Sequence, residues 1–196
     1  TGTITLNDRS VALSGTSAQI NTALSGTIAV GYTGNVTITD ATNVAHLKAI
    51  NAKTSGSITL SNDTAKQGAL SGSADDLVLA FAGSITEPYV GNITITDAAS
   101  LSELKFINAA GNGSIVLDSV TSNLQGSSED LAAAFTGTVT TYQGNLLATS
   151  VSTLVNAGVI NGATTGTATF AISDLSETLN GAVGNTTSLN AMKAAT

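Results

Sequence analysis

The stretch YVGNITITDAASLSELKFIN, Tyr89 to Asn108, carries the pattern on which the fold turns. Its ITIT alternates aliphatic and hydroxyl side chains, as a strand with one buried face does. Leu101, Leu104 and Ile107 then follow at i, i+3 and i+6, which places them on one face of a helix. The same sequence stands 57 residues earlier as YTGNVTITDATNVAHLKAIN, Tyr32 to Asn51, and 53 residues later, weakened, as YQGNLLATSVSTLVNAGVIN, Tyr142 to Asn161. A chain that writes one strand and helix three times predicts stacked copies, because no single unit can cover its own apolar face.

The residues between these copies recur as well. GTITL (Gly2 to Leu6), GSITL (Gly56 to Leu60) and GSIVL (Gly113 to Leu117) read as strands with the aliphatic residues inward and Thr outward. SGTSAQINTALSG, SGSADDLVLAFAG and QGSSEDLAAAFTG each predict a helix of two to three turns, closed by Gly26, Gly83 or Gly137. Ser73 with Asp76, and Ser127 with Asp130, have capping-box spacing with Asp in place of Glu. The short runs TIAV, SITE and TVTT read as a further strand, and Asn51, Asn108 and Asn161 fall where a left-handed C-cap residue belongs. Leu60 to Leu70 spans ten residues where Leu6 to Leu13 and Leu117 to Leu124 span seven, so length varies in loops.

Strands and helices that alternate over short links predict parallel strands with helical crossovers. The fold class expected is α/β, a repeat solenoid of stacked short parallel strands with short crossover helices, in about three repeats of 53–57 residues. The boundaries are 1–55, 56–112 and 113–165, with 166–196 as a partial repeat or C-terminal cap, since the pattern is lost after Asp174.

Composition bounds the function. Six Lys plus Arg against thirteen Asp plus Glu give a net charge of −7 with no basic cluster, which removes the electrostatic attraction that nucleic-acid binding needs. No apolar run approaches the ~20 residues of a membrane span, and no basic amphipathic helix is present, so neither nucleic acid nor membrane insertion is expected. With no Cys there are no disulfides and no thiolate metal sites. Four Phe, three Tyr and no Trp leave a core of Val, Ile, Leu and Ala, which suits thin repeated layers.

Chemistry-bearing residues are few. The single His, His46, has Glu103 and Asn156 as its counterparts and reads as part of a solvated helix face. No nucleophile elbow, zinc-protease, P-loop or dinucleotide motif is present, so an enzyme is not expected. Carboxylate-only cleavage of a polysaccharide ranks as the third reading. Asp40 and Asp97 end equivalent strands and are the weak candidates for Ca²⁺, the one cofactor considered. The simpler expectation is that they accept hydrogen bonds from turn or helix-start N–H groups. Tyr32, Tyr89 and Tyr142 form a row whose simpler expectation is packing over the adjacent glycine; stacking of a polysaccharide on rings that face solvent is the alternative. Thr37 with Thr39, and Thr94 with Thr96, form T-x-T pairs spaced about 7 Å along a strand, a pattern that suits an ice-binding face; the simpler expectation is Thr as a β-former on solvent-facing strand positions. Lys48 and Lys105 share a position that Gly158 fills in the third copy, again a solvated helix face.

The phrases VTITDATNVAHLKAIN, ITITDAASLSELKFIN and SGSITLS, with LSGSADDLVLAFAG between them, resemble tandem repeats of very large secreted or cell-surface proteins of bacteria, especially marine cyanobacteria. The resemblance covers about residues 1 to 170. It implies export, a place outside the cell or on its surface, and a structural spacer or adhesive role without catalysis. The partners implied are neighbouring repeats of the same parent chain, with polysaccharide or cell-surface matrix beyond them. Carbohydrate binding through the Tyr row and ice binding through the Thr rows stand as the alternative.

Overall fold

The computed structural model describes residues 3–28, 31–61 and 63–172. Along the chain they form β1 (Leu13–Gly15), α1 (Ser17–Leu24), β2 (Val36–Ile38), α2 (Val44–Asn51) and β3 (Ile58–Leu60). A short helix, α3 (Asp63–Gln67), leads to β4 (Leu70–Gly72), α4 (Ala74–Phe81), β5 (Ile93–Ile95), α5 (Leu101–Ala110) and β6 (Ile115–Leu117). The third set is β7 (Leu124–Gly126), α6 (Ser128–Phe135), β8 (Leu146–Ser152), α7 (Leu154–Ala163) and β9 (Ala168–Ile172). The partial repeat or cap expected at 166–196 lies outside the described residues beyond 172.

Each set is a βαβαβ unit whose strands pair in parallel, giving three sheets of order β1-β2-β3, β4-β5-β6 and β7-β8-β9. The crossover helices are what permit parallel pairing, since a tight turn returns a strand antiparallel. Leu13, Val36 and Ile58 stand abreast in the first sheet, and Leu70, Ile93 and Ile115 in the second. Each sheet takes its third strand from the next sequence repeat, so the sheets straddle the boundaries at 55/56, 112/113 and 165/166. SITE and TVTT do not form full strands. They supply single bridges, Ile58 to Ile85 and Ile115 to Val139, at the sheet edges. The ten-residue link between Leu60 and Leu70 accommodates α3, whose Ala65 is buried.

Strand phase follows the sequence alternation. In β2 and β5 the flanking aliphatics are buried and the central Thr37 or Thr94 is half-buried. Ile38 and Ile95 are fully covered, each burial contributing roughly 1.5–3 kcal/mol. The helices lay Ile20 and Leu24, Leu47 and Ile50, Leu77 and Phe81, Leu104 and Ile107, and Leu131 and Phe135 over these strands as one apolar cluster. They form a row in which α2 touches α1 and α4, α5 touches α4 and α6, and α6 touches α7.

Helix starts are as the spacing predicts. Ser73 and Ser127 accept the N–H groups of Asp76 and Asp130, and Thr16 with Gln19 makes a reciprocal capping box. Helix ends are not. Asn51 is the last residue of α2, Asn108 lies inside α5, and no non-glycine residue described has a positive φ. Among the described glycines Gly137 alone has a positive φ, +91°. Asn51 and Asn108 keep helical backbone, and their side chains bond carbonyls of the next helix.

Candidate functional site

Asp40 and Asp97 lie two residues beyond the ends of β2 and β5 and face the start of the preceding helix. Asp40 Oδ1 accepts the Ser17 N–H at 2.6 Å, and Asp97 Oδ1 accepts the Ala74 N–H at 2.8 Å. These are the first N–H groups of α1 and α4, which the N-cap hydroxyls leave unpaired because those bond two residues further on. A carboxylate there also meets the positive end of the helix dipole. In the third unit Ser150 Oγ accepts the Ser128 N–H at 2.9 Å in the same way. The weak Ca²⁺ candidates are thus corrected to helix caps, Oδ1 of each turned toward a main-chain amide. Among the described residues, no group of three or more His, Asp or Glu is placed to hold a metal ion. Asp8 likewise accepts from the Ser10 N–H and hydroxyl, and these bonds hold its carboxyl below the usual carboxylate range.

His46 does meet a hydroxyl, which in turn meets a carboxylate. Ser17 Oγ lies 3.3 Å from both His46 Nδ1 and Asp40 Oδ2, and His46 Nδ1 is 3.4 Å from Asn43 Nδ2. In a nucleophilic triad the imidazole sits between hydroxyl and carboxylate. Here the hydroxyl is in the middle, and Ser17 is only 3% exposed. The corresponding positions hold Ala74, Asp97 and Glu103 in the second unit, and Ser128, Ser150 and Asn156 in the third. The cluster joins α1 to α2 and to the turn after β2.

The tyrosines are inside. Tyr32, Tyr89 and Tyr142 are 4%, 0% and 3% exposed, which leaves no ring face for a sugar and corrects the polysaccharide-stacking alternative. The Tyr32 hydroxyl donates to the Val11 carbonyl and that of Tyr89 to the Gly68 carbonyl. Phe81 tilts against Tyr89 with ring centroids 5.9 Å apart, and Phe135 meets Tyr142 edge-on at 5.4 Å. Burial pushes the Tyr89 phenol up to about 12 and raises Tyr32 and Tyr142 as well. The Tyr-x-Gly turn recurs because a Cβ on Gly91 would strike the Gly68 carbonyl, and one on Gly113 the Gly91 carbonyl. Successive turns of backbone pass that close only through glycine.

The threonine pairs are not lattices. Thr37 and Thr94 are half-buried at strand centres, whereas Thr39 and Thr96 are exposed and lie just past the strand ends at Ile38 and Ile95. Across the sheets the rows read Ser14, Thr37, Thr59 and then Ser71, Thr94, Val116. In the third sheet Gln125 and Leu147 are paired, followed by Thr169.

The most regular chemistry lies between helices, at a seam that the reading of single helices misses. Where α2 meets α4, Val44 packs against Gly72, Lys48 Nζ pairs with Asp76 Oδ1 at 2.5 Å, and Asn51 Nδ2 donates to the Leu79 carbonyl at 2.8 Å. Where α5 meets α6, Leu101 packs against Gly126, Lys105 pairs with Asp130, and Asn108 donates to the carbonyls of Ala133 at 2.7 Å and Thr136 at 2.9 Å. Lys105 holds the Asp130 carboxyl below its ordinary value. Residues at i, i+4 and i+7 form one stripe on a helix, so each seam is read by one face. A signal did exist in the recurrence of Lys48 and Asp76 as Lys105 and Asp130.

Within the second unit, the neighbouring Glu103 carboxylate raises the Asp75 carboxyl, while Ser100 holds Glu103 below its usual value. A groove of about 580 Å³ runs beside the α5 seam, lined by Leu101, Phe106, Gln125 and the Lys105–Asp130 pair. No helix among the described residues is long and apolar enough to cross a membrane. No protein-family model, curated protein or solved structure matches this chain.

Proposed function

We propose that this chain is a structural module of a large bacterial surface or secreted protein, an α/β solenoid of 53–57-residue repeats that acts as a spacer or adhesive-display segment without catalysis. The observation that supports it best is the duplicated seam. α2 on α4 and α5 on α6 use an aliphatic residue on glycine, a Lys–Asp pair and an Asn side chain on a main-chain carbonyl, at corresponding positions. An interface that can be rewritten unit after unit suits a protein whose task is length. The residues that offered chemistry, His46, the two aspartates and the tyrosines, are all engaged in holding that geometry.

Surface location is tested on intact cells of the organism that makes the protein. Brief protease treatment should release peptides of this sequence before any cytoplasmic marker leaks. Release only after lysis would overturn the proposal.

A further inference from the structure

Among the described residues, the first turn of the stack has no neighbour on the side where later turns have one. Ile4 is 47% exposed, whereas its counterparts Ile58 and Ile115 are 0% and 2%. Ile58 has Val36 on one side and Ile85 on the other, while among the described residues Ile4 pairs with Ile28 alone. The helix beside it repeats the contrast, since Ala80 and Ala134 are fully covered and Ala23, at the same place in α1, is exposed. Among the described helices α1 packs substantially on α2 only, whereas α4 and α6 each have a helix on both sides. Gln19, where α4 and α6 carry Asp76 and Asp130, folds back onto the Thr16 N–H at 3.0 Å.

We infer that α1 and residues 4–6 form a docking face for one strand–helix pair of the β5–α5 kind, carried by a repeat unit joined upstream on the same polypeptide. This rests on the stacked-repeat reading above and names the partner that reading requires. The incoming strand would lie beside residues 4–6 as β5 lies beside β6. The incoming helix would set an aliphatic residue on Gly15, as Val44 sits on Gly72, and an Asn side chain on the Thr22 carbonyl, as Asn51 sits on Leu79. Two considerations favour a tethered unit over a second molecule. Separate copies each carry a net charge of −7 and repel, whereas a covalent link provides an effective concentration in roughly the millimolar range.

The test duplicates residues 56–111 ahead of Thr1, which keeps the repeat in register, and compares amide exchange with the unextended chain. The decisive amide is Asn7, because its counterparts Ser61 and Asp118 donate to the carbonyls of Ile38 and Ile95 in the neighbouring strand. Asn7 and the amides of α1 should exchange at least about ten-fold more slowly in the extended protein, with α4 and α5 amides reporting folding in both. Gln19→Asp should raise the melting temperature of the extended protein relative to the unextended one at low salt, through the duplicated Lys105, and lose that gain near 1 M salt. Unchanged Asn7 exchange in an extended protein that scatters as a longer particle would overturn the docking inference while leaving the spacer reading intact. A compact extended protein would overturn both. Self-association of the unextended chain with the same amides protected would overturn the tethered source in favour of a second copy.

Discussion

The second and third units share a topology yet differ in how they are held. β5 buries Ile95, caps α4 with Asp97, and is followed by a helix whose Lys105 reaches the next one. β8 has Ala148 in place of Ile95, Ser150 in place of Asp97, and Gly158 in place of Lys105. Its pairing with β9 slips between Leu147 and Val151. The hydroxyls of Ser128 and Ser152 are buried there without a partner. The fold persists, so backbone pairing and aliphatic packing define the unit, and charged caps and seams reinforce it. Unsatisfied buried hydroxyls are the cost of losing those reinforcements.

Writing the third unit into the second breaks the comparison at measurable points. Ile95→Ala should cost about 2–5 kcal/mol by denaturant unfolding, whereas Thr96→Ala, on an exposed residue, should cost under about 1 kcal/mol. Equal losses would mean the strand phase is wrong.

Alkaline stability sharpens the contrast between Tyr89 and ordinary tyrosine. The folded-state phenol is pushed up to about 12, above the ~10 of an unfolded chain, so the stabilisation is complete below pH ~10 and falls as pH rises from there to about 12. Tyr89→Phe should flatten that fall in melting temperature, and a chain equally alkali-sensitive after the substitution would contradict the burial argument.

Asp97→Ser, which copies Ser150, should lose roughly 0.5–2 kcal/mol, less at high salt because the helix-dipole part is screened. At the next helix start the sign should invert between units. Ser17→Ala removes contacts to Asp40 and His46 and should destabilise by about 1 kcal/mol, while Ser128→Ala removes an orphaned hydroxyl and should stabilise by a comparable amount. The smallest effect belongs to Lys48→Ala or Lys105→Ala, under about 1 kcal/mol in thermal melts, because both ion pairs are substantially exposed.

Much of this was legible locally. The alternation in ITIT set the buried face, and Ser73 and Ser127 set helix starts. Asp40 and Asp97 could be read either as caps or as metal ligands, and the main-chain amides facing them decide between the two. The tyrosines carried the same ambiguity, since sequence does not say which side of a ring the chain covers. Asn51 and Asn108 were misread because a C-cap and an interhelical donor look alike in sequence; only the Leu79 and Ala133 carbonyls, 28 and 25 residues away, distinguish them. The membership of each sheet was hidden for the same reason, as pairing β2 with β3 joins residues 22 apart across a repeat boundary.

Small-angle scattering of the purified chain tests the central claim, that units add along one axis, most directly. A compact protein of 196 residues has a radius of gyration of ~16 Å. Stacked units predict a larger value and a pair-distance distribution with a long asymmetric tail, whereas a symmetric profile at about the compact value would contradict the account.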